Sequence, residues 1–231
     1  MELNLSLFER ICQEPGAPGF EDRIRNLVIE ELKDLNIEYE VDAIGNVITK
    51  LPGAGDKSVM AAAHMDEIGF IVTHVDEDGF VRFHTLGGFD PKTLTSQKVI
   101  VHGKEDLVGV MGAKPIHVMT QEERQKLPKI QDYYIDLGLP RKQVEELVET
   151  GNPITRKAEF LEVGDTIVCK SIDNRVAVFI LMETLKKLKD RELPYDFFGV
   201  FTVQEEVGLR GVHVASHYKN PDFGIALDTT I

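Results

Sequence analysis

Apolar residues recur at Ile24, Leu27, Val28, Leu32 and Leu35 in the segment FEDRIRNLVIEELKDL. This three-and-four spacing predicts an amphipathic helix over 20–35, with Glu21 and Asp22 in a first turn that favours negative charge. The preceding MELNLSLFERICQEPG reads as a shorter helix of the same kind. Strand patterning follows at 37–42 and 46–51, joined by a turn at Gly45-Asn46, and a run of small apolar residues predicts another strand at 58–63. From about 68 to 169 the chain changes character. IGFIVTHVDEDGFVRFHTLGGF predicts a hairpin turning at Asp-Glu-Asp-Gly, and VIVHGKEDLVGVMGA predicts a second. A polar loop is expected over 117–131, a helix after Pro140, and a returning strand at 160–170. The last third predicts a long apolar helix over 173–189, a buried strand over 195–206, a helix over 210–217 and a buried strand over 223–228. Strands and helices alternate at both ends, which implies an α/β domain, and the β-rich middle reads as an insertion into it.

The composition agrees with a soluble globular chain: 231 residues, 42% hydrophobic, no window of the roughly 18 apolar residues a membrane span needs. Asp plus Glu number 39 and Lys plus Arg 26, a net charge of −13. That balance argues against nucleic acid and anionic membrane as partners. The N-terminus lacks the basic-then-apolar pattern of a secretory signal. Cys12 and Cys169 have no CxxC spacing and read as free thiols, so a reducing cytoplasm is expected.

The chemistry concentrates where apolar runs end. AAAHMDE at 61–67, FTVQEE at 201–206 and IALD at 225–228 each end in carboxylates, the first with an imidazole. In open α/β sheets ligands sit beyond the carboxyl ends of the strands. If these strands are parallel neighbours, His64, Glu205, Glu206 and Asp228 converge, and Asp173 at the head of the long helix joins them. Clustered carboxylates need a cation, and one imidazole among oxygen donors suits zinc, cobalt or manganese. Residues two apart on a strand share a face, so Asp66 is expected beside His64, orienting its ring. One of the paired glutamates would be left to act as general base.

The motifs AHMDEIGF, SIDNRVAVF, TVQEEVGLRG and ALDTT resemble those of the tetrahedral (TET-type) dinuclear-metal aminopeptidase family, which includes glutamyl and deblocking aminopeptidases and endoglucanase-like members. APGFEDRIR, DAIGNVI, GVMGAKPIH and YIDLG resemble it too, in order along the chain. The resemblance implies a zinc-peptidase-like mixed sheet flanked by helices, divided as 1–67 and 165–231, with a small β-barrel-like dimerisation domain inserted over 68–164. It implies two divalent metal ions (Zn, Co or Mn), peptide substrates, and a homo-oligomer built from dimers, up to a dodecamer. By position, His64 and Asp228 would hold one ion, Asp173 would bridge both, and Glu206 would hold the second. Glu205 would be the general base, Asp66 would hold His64, and a cis peptide would follow Asp173. The implied reaction is removal of N-terminal residues by attack of an activated water on the peptide carbonyl. The family pattern runs on to a later histidine ligand with no counterpart here, so this chain is expected to lack the last ligand.

Two rival readings remain at this level. Glu205 and Glu206 could form a glycosidase pair, but such carboxyls flank the scissile bond from opposite sides. The chain could instead be a non-catalytic assembly module built around its β-rich insert. His74, His84, His102 and His117 read as ordinary histidines; His213 and His217, four apart, lack the Glu of an H-E-x-x-H pattern and read as structural.

Overall fold

The computed structural model describes residues 3–230. Met1 and Glu2, in the predicted first helix, lie outside the described residues. Contacts divide the chain into two compact units, residues 1–67 with 159–231 and residues 68–158. The second boundary falls six residues earlier than the one the resemblance implies, with 159–164 belonging by contact to the first unit.

The first unit begins with helices α1 (Leu5–Gln13) and α2 (Asp22–Asp34). Asn4 caps α1, its side-chain oxygen accepting from the Leu7 N–H at 3.1 Å. Strands β1 (Tyr39–Val41), β2 (Val47–Leu51) and β3 (Ser58–His64) follow. After the second unit the chain continues through β10 (Leu161–Val163), β11 (Thr166–Val168), α5 (Ile172–Leu188), β12 (Asp196–Thr202), α6 (Arg210–Lys219) and β13 (Phe223–Ala226).

The main sheet has the order β1-β2-β12-β3-β13. β2 runs antiparallel to β1 and β12, whereas β3 lies parallel to both β12 and β13. Strand alternation divides the burial between two faces. Ala61, Ala63, Phe197 and Phe201 join a cluster with Ile24, Val28, Leu32, Val178, Leu181 and Leu185 from α2 and α5. Met60, Ala62 and Val200 pack with Ala215 of α6 on the other face.

Two expectations are corrected here. Residues 160–170 form not one returning strand but a hairpin, β10–β11, which turns through Gly164 at φ +60°. Glycine adopts that conformation without a Cβ clash, and the turn breaks the run. The last strand is not buried: all four residues of β13 are exposed, since among the described residues it pairs with β3 alone at the sheet edge.

The second unit is a closed six-stranded barrel in the order β4-β5-β8-β7-β6-β9. Its strands are β4 (Gly69–Val75), β5 (Val81–Leu86), β6 (Lys98–His102), β7 (Asp106–Ala113), β8 (Tyr133–Asp136) and β9 (Pro153–Arg156). Phe70, Val72, Phe83, Val101, Met111 and Ile135 fill its core. The expected loop over 117–131 contains a short helix, α3 (Gln121–Gln125), closed by a capping box in which Thr120 and Glu123 satisfy each other's backbone N–H groups. Helix α4 (Arg141–Leu147) follows Pro140 as predicted.

Candidate metal centre

The parallel register of β3, β12 and β13 assembles the site. His64 ends β3 and lies opposite Thr202, the last residue of β12. Ala226 of β13 lies opposite Ala62, so Asp228, two residues on, reaches the level of His64. Asp173 enters from α5, where its backbone and that of Asn174 depart from helical angles and the peptide between them is cis. The Asn174 side-chain amide donates to the Leu227 carbonyl at 2.8 Å, which ties this helix start to the segment carrying Asp228.

His64 sits at the middle of the cluster. Its Nε2 lies 3.2 Å from Asp173 Oδ1 and 3.7 Å from Glu205 Oε2. Two groups of potential ligands share it: His64 with Glu205 and Glu206, and His64 with Asp173 and Asp228. Within each group the donor atoms all lie within 4.8 Å of one another. His64 is buried, the two glutamates are half-buried, and Asp173 and Asp228 are exposed, so the cluster is open on the aspartate side.

Asp66 lies beside His64, where strand alternation expects it, and has a second part as well. β3 stops at His64, and the His64 Nδ1 lies 3.2 Å from the Asp66 backbone carbonyl oxygen and 3.4 Å from its Oδ1. The fully buried Asp66 carboxylate meanwhile accepts the backbone N–H groups of Glu205 and Glu206, at 3.0 Å each. One side chain thus sets the backbone of both glutamates and lies beside the imidazole.

Burial opposes protonation of His64, but the hydrogen bond and charge of Asp66, with the charges of Glu205 and Asp173, outweigh it and raise its pKa to about 9. Burial raises Glu206 to about 7; His64 opposes this, while Asp173, Asp66 and Glu205 push it the same way. Glu205 is raised as well, by burial first and then by Asp66, Asp228 and Asp173 against His64. This crowding of negative charge is what a cation relieves. The donor set fits one: an imidazole nitrogen among carboxylate oxygens at ligand-sharing distances is the chemistry of a borderline divalent ion.

A buried ionic network beneath Asp173 is not legible in the sequence. Glu67 is 1% exposed; its carboxylate accepts from Lys170 Nζ and Ser171 Oγ at 2.5 Å each and from the Gly16 N–H at 3.3 Å. Arg175 Nη2 lies 3.8 Å from the same carboxylate, and the guanidinium is fully buried. Its Nη1 donates to the carbonyls of Ile11 and Glu14. The basic and hydroxyl residues flanking Asp173 in KSIDNR were the available signal. His213 and His217 are exposed on α6 and enter neither ligand group.

Comparison with known proteins fits this picture. Residues 45–231 match the profile of the M42 glutamyl aminopeptidase family. The chain is 36% identical over 233 residues to a lysyl aminopeptidase of Pyrococcus furiosus, covering 97% of this chain and 66% of that relative. Among solved structures, a TET aminopeptidase from a marine sediment thaumarchaeote superposes with a TM-score of 0.94 at 32% identity, over 98% of this chain and 66% of the other. The TET1 peptidase of Pyrococcus horikoshii, which can assemble into a tetrahedron or a large octahedral shell, superposes with a TM-score of 0.88 at 35% identity, over 97% of this chain and 68% of the other. The chain spans 61% to 66% of the length of five curated relatives it matches.

Proposed function

The chain belongs to the M42 glutamyl aminopeptidase family, and from that premise we propose that it carries the catalytic cluster of a metal-dependent aminopeptidase acting on the free N-termini of peptides. The observation that carries this reading is the convergence of His64, Asp173, Glu205, Glu206 and Asp228 from three strand ends and one helix start.

The proposed roles follow from placement. His64 and Asp228 would hold one divalent ion, Glu206 would hold a second, and Asp173, 3.2 Å from His64, would serve both. Zinc, cobalt and manganese suit these donors, and when bound such ions supply Lewis acidity to the scissile carbonyl and to water. Glu205 is the general base. Its carboxylate reaches to 3.7 Å from His64 Nε2, and its raised pKa suits a group that takes a proton from water and delivers it to the departing amine. Asp66 holds the backbone of Glu205 in place and keeps the imidazole oriented.

We place the chain in a homo-oligomer, by analogy with the assembling TET1 peptidase, with the barrel unit as the dimerisation element. Its two free cysteines fit a reducing, cytoplasmic setting. No helix among the described residues is long and apolar enough to cross a membrane.

The test separates binding from turnover. Cobalt titration of the chelated chain, followed by optical absorbance, is expected to show saturable uptake, and a panel of aminoacyl-anilides should release free amine. Glu205→Gln should keep cobalt uptake and lose release. Uptake of no cobalt would sink the metal reading, and undiminished release by Glu205→Gln would remove the base.

A further inference from the structure

Four consecutive backbone N–H groups follow β12, at Val203, Gln204, Glu205 and Glu206, and none of them is spent on the sheet. Each is taken by a side chain from elsewhere in the unit. Asn46 Oδ1 accepts from Val203 at 3.0 Å, Glu21 Oε1 from Gln204 at 3.1 Å, and the two oxygens of Asp66 from Glu205 and Glu206. The carbonyls of the same turn are satisfied locally: Gly211 donates to Val203, Arg210 to Gln204, and Gly208 and Leu209 to Glu205.

Glu21 and Asn46 do more than their local positions require. Glu21 stands at the N-cap of α2 yet makes no capping hydrogen bond to its own helix. The side chain turns away instead; its Oε1 accepts from Gly19 at 2.8 Å and from Gln204, and the residue is 3% exposed. Burying a carboxylate is costly, and burial raises its pKa. Asn46 is completely buried and commits its whole amide, with Nδ2 donating to Asp42 Oδ2 at 2.6 Å and to the Gly211 carbonyl at 3.0 Å. It therefore grips the turn at both ends, at Val203 and at Gly211. A Cβ at Gly211 would fall 2.4 Å from the Val203 oxygen and 2.5 Å from Asn46 Oδ1, so only glycine permits this approach. Gln204 itself has φ +54°, a left-handed conformation that needs outside support in a residue other than glycine.

We propose that Glu21 and Asn46 are positioning residues for Glu205 and Glu206. Together with Asp66 they clamp the backbone of residues 203–206, which aims one carboxylate at the cation and leaves the other free as base. The inference deepens the site reading above and rests on it only where cation binding is the readout.

The experiment compares Glu21→Gln, Glu21→Met and Asn46→Ala with the unchanged chain, by hydrogen exchange and by cobalt titration. A single oxygen of Glu21 accepts both of these hydrogen bonds, so the amide oxygen of Glu21→Gln can replace it and should leave both measurements near the original. Glu21→Met keeps the volume without an acceptor. It should speed exchange in a peptide spanning 203–206 by about tenfold or more, with 196–202 unchanged, and weaken cobalt binding about 10- to 100-fold. Asn46→Ala reads the same claim independently at Val203. Unchanged exchange at 203–206 in both Glu21→Met and Asn46→Ala would overturn the proposal. So would equal losses in Glu21→Gln and Glu21→Met, which would assign the effect to charge rather than to the acceptor. If the unchanged chain takes up no cobalt, the cation reading fails, and the exchange measurements still decide whether these residues clamp the turn.

Discussion

Glu67 shows how a single buried carboxylate can organise residues the sequence scatters. It neutralises Lys170 at 2.5 Å and faces the fully buried Arg175, both flanking Asp173. Removing one partner of a buried ionic group leaves the others uncompensated, at a cost of about 3–5 kcal/mol. Glu67→Ala is therefore expected to lower unfolding stability in urea by that amount. Lys170→Met in the same background should recover part of the loss, because it removes one of the stranded charges. A Glu67→Ala chain as stable as the original would show that the network is incidental.

The β4–β5 hairpin of the barrel carries the equivalent argument for an element. Its turn is organised by Asp76, whose carboxylate accepts from Asp78 at 3.1 Å, Phe80 at 2.9 Å and Arg82 Nε at 2.8 Å. Burial opposes ionisation of Asp76, but the Phe80 N–H and the Arg82 guanidinium outweigh it and hold its pKa below the usual carboxylate value. The folded pKa is depressed, so the stability this group contributes is present above the unfolded value, near 3.8, and is lost as pH falls through the folded one. Asp76→Ala should accordingly cost the hairpin about 1–3 kcal/mol at pH 7. The gap to the original chain should close as thermal melts are repeated at progressively lower pH below about 4. A gap that stayed constant with pH would assign the effect to packing rather than charge.

At the scale of the whole molecule, β13 forms one edge of the main sheet among the described residues. Phe223 is 63% exposed and Ile225 48% exposed, on a strand that among the described residues pairs only with β3. An open edge with apolar side chains is a template for pairing with another chain. The net charge of −13 works against such contact but does not cover the edge. Light scattering is expected to show association of this chain that increases with concentration. Ile225→Lys should remove the association that exceeds the barrel-mediated oligomer, without lowering the melting temperature, and excess association unchanged by that substitution would locate the contact elsewhere.

The sequence by itself determined the elements and the chemical identity of the cluster. Helical spacing in α2, strand patterning in β2, the apolar runs of β3 and α5, and the Asp-Glu-Asp-Gly turn all depend on neighbours within a few residues, and they appear where the pattern puts them. The carboxylates closing three apolar runs were visible for the same reason. Tertiary structure decided what depends on long separations. The register of β3 against β12 and β13 brings residues more than 100 positions apart into one cluster. The exposure of β13 follows from its place at the edge, and an apolar run cannot report which strands will flank it. Glu21 reads locally as a favourable charge at a helix start, and Asn46 as a turn residue. Their bonds to residues 203 and 204 exist only because the fold carries those N–H groups past them, and no local pattern encodes that meeting.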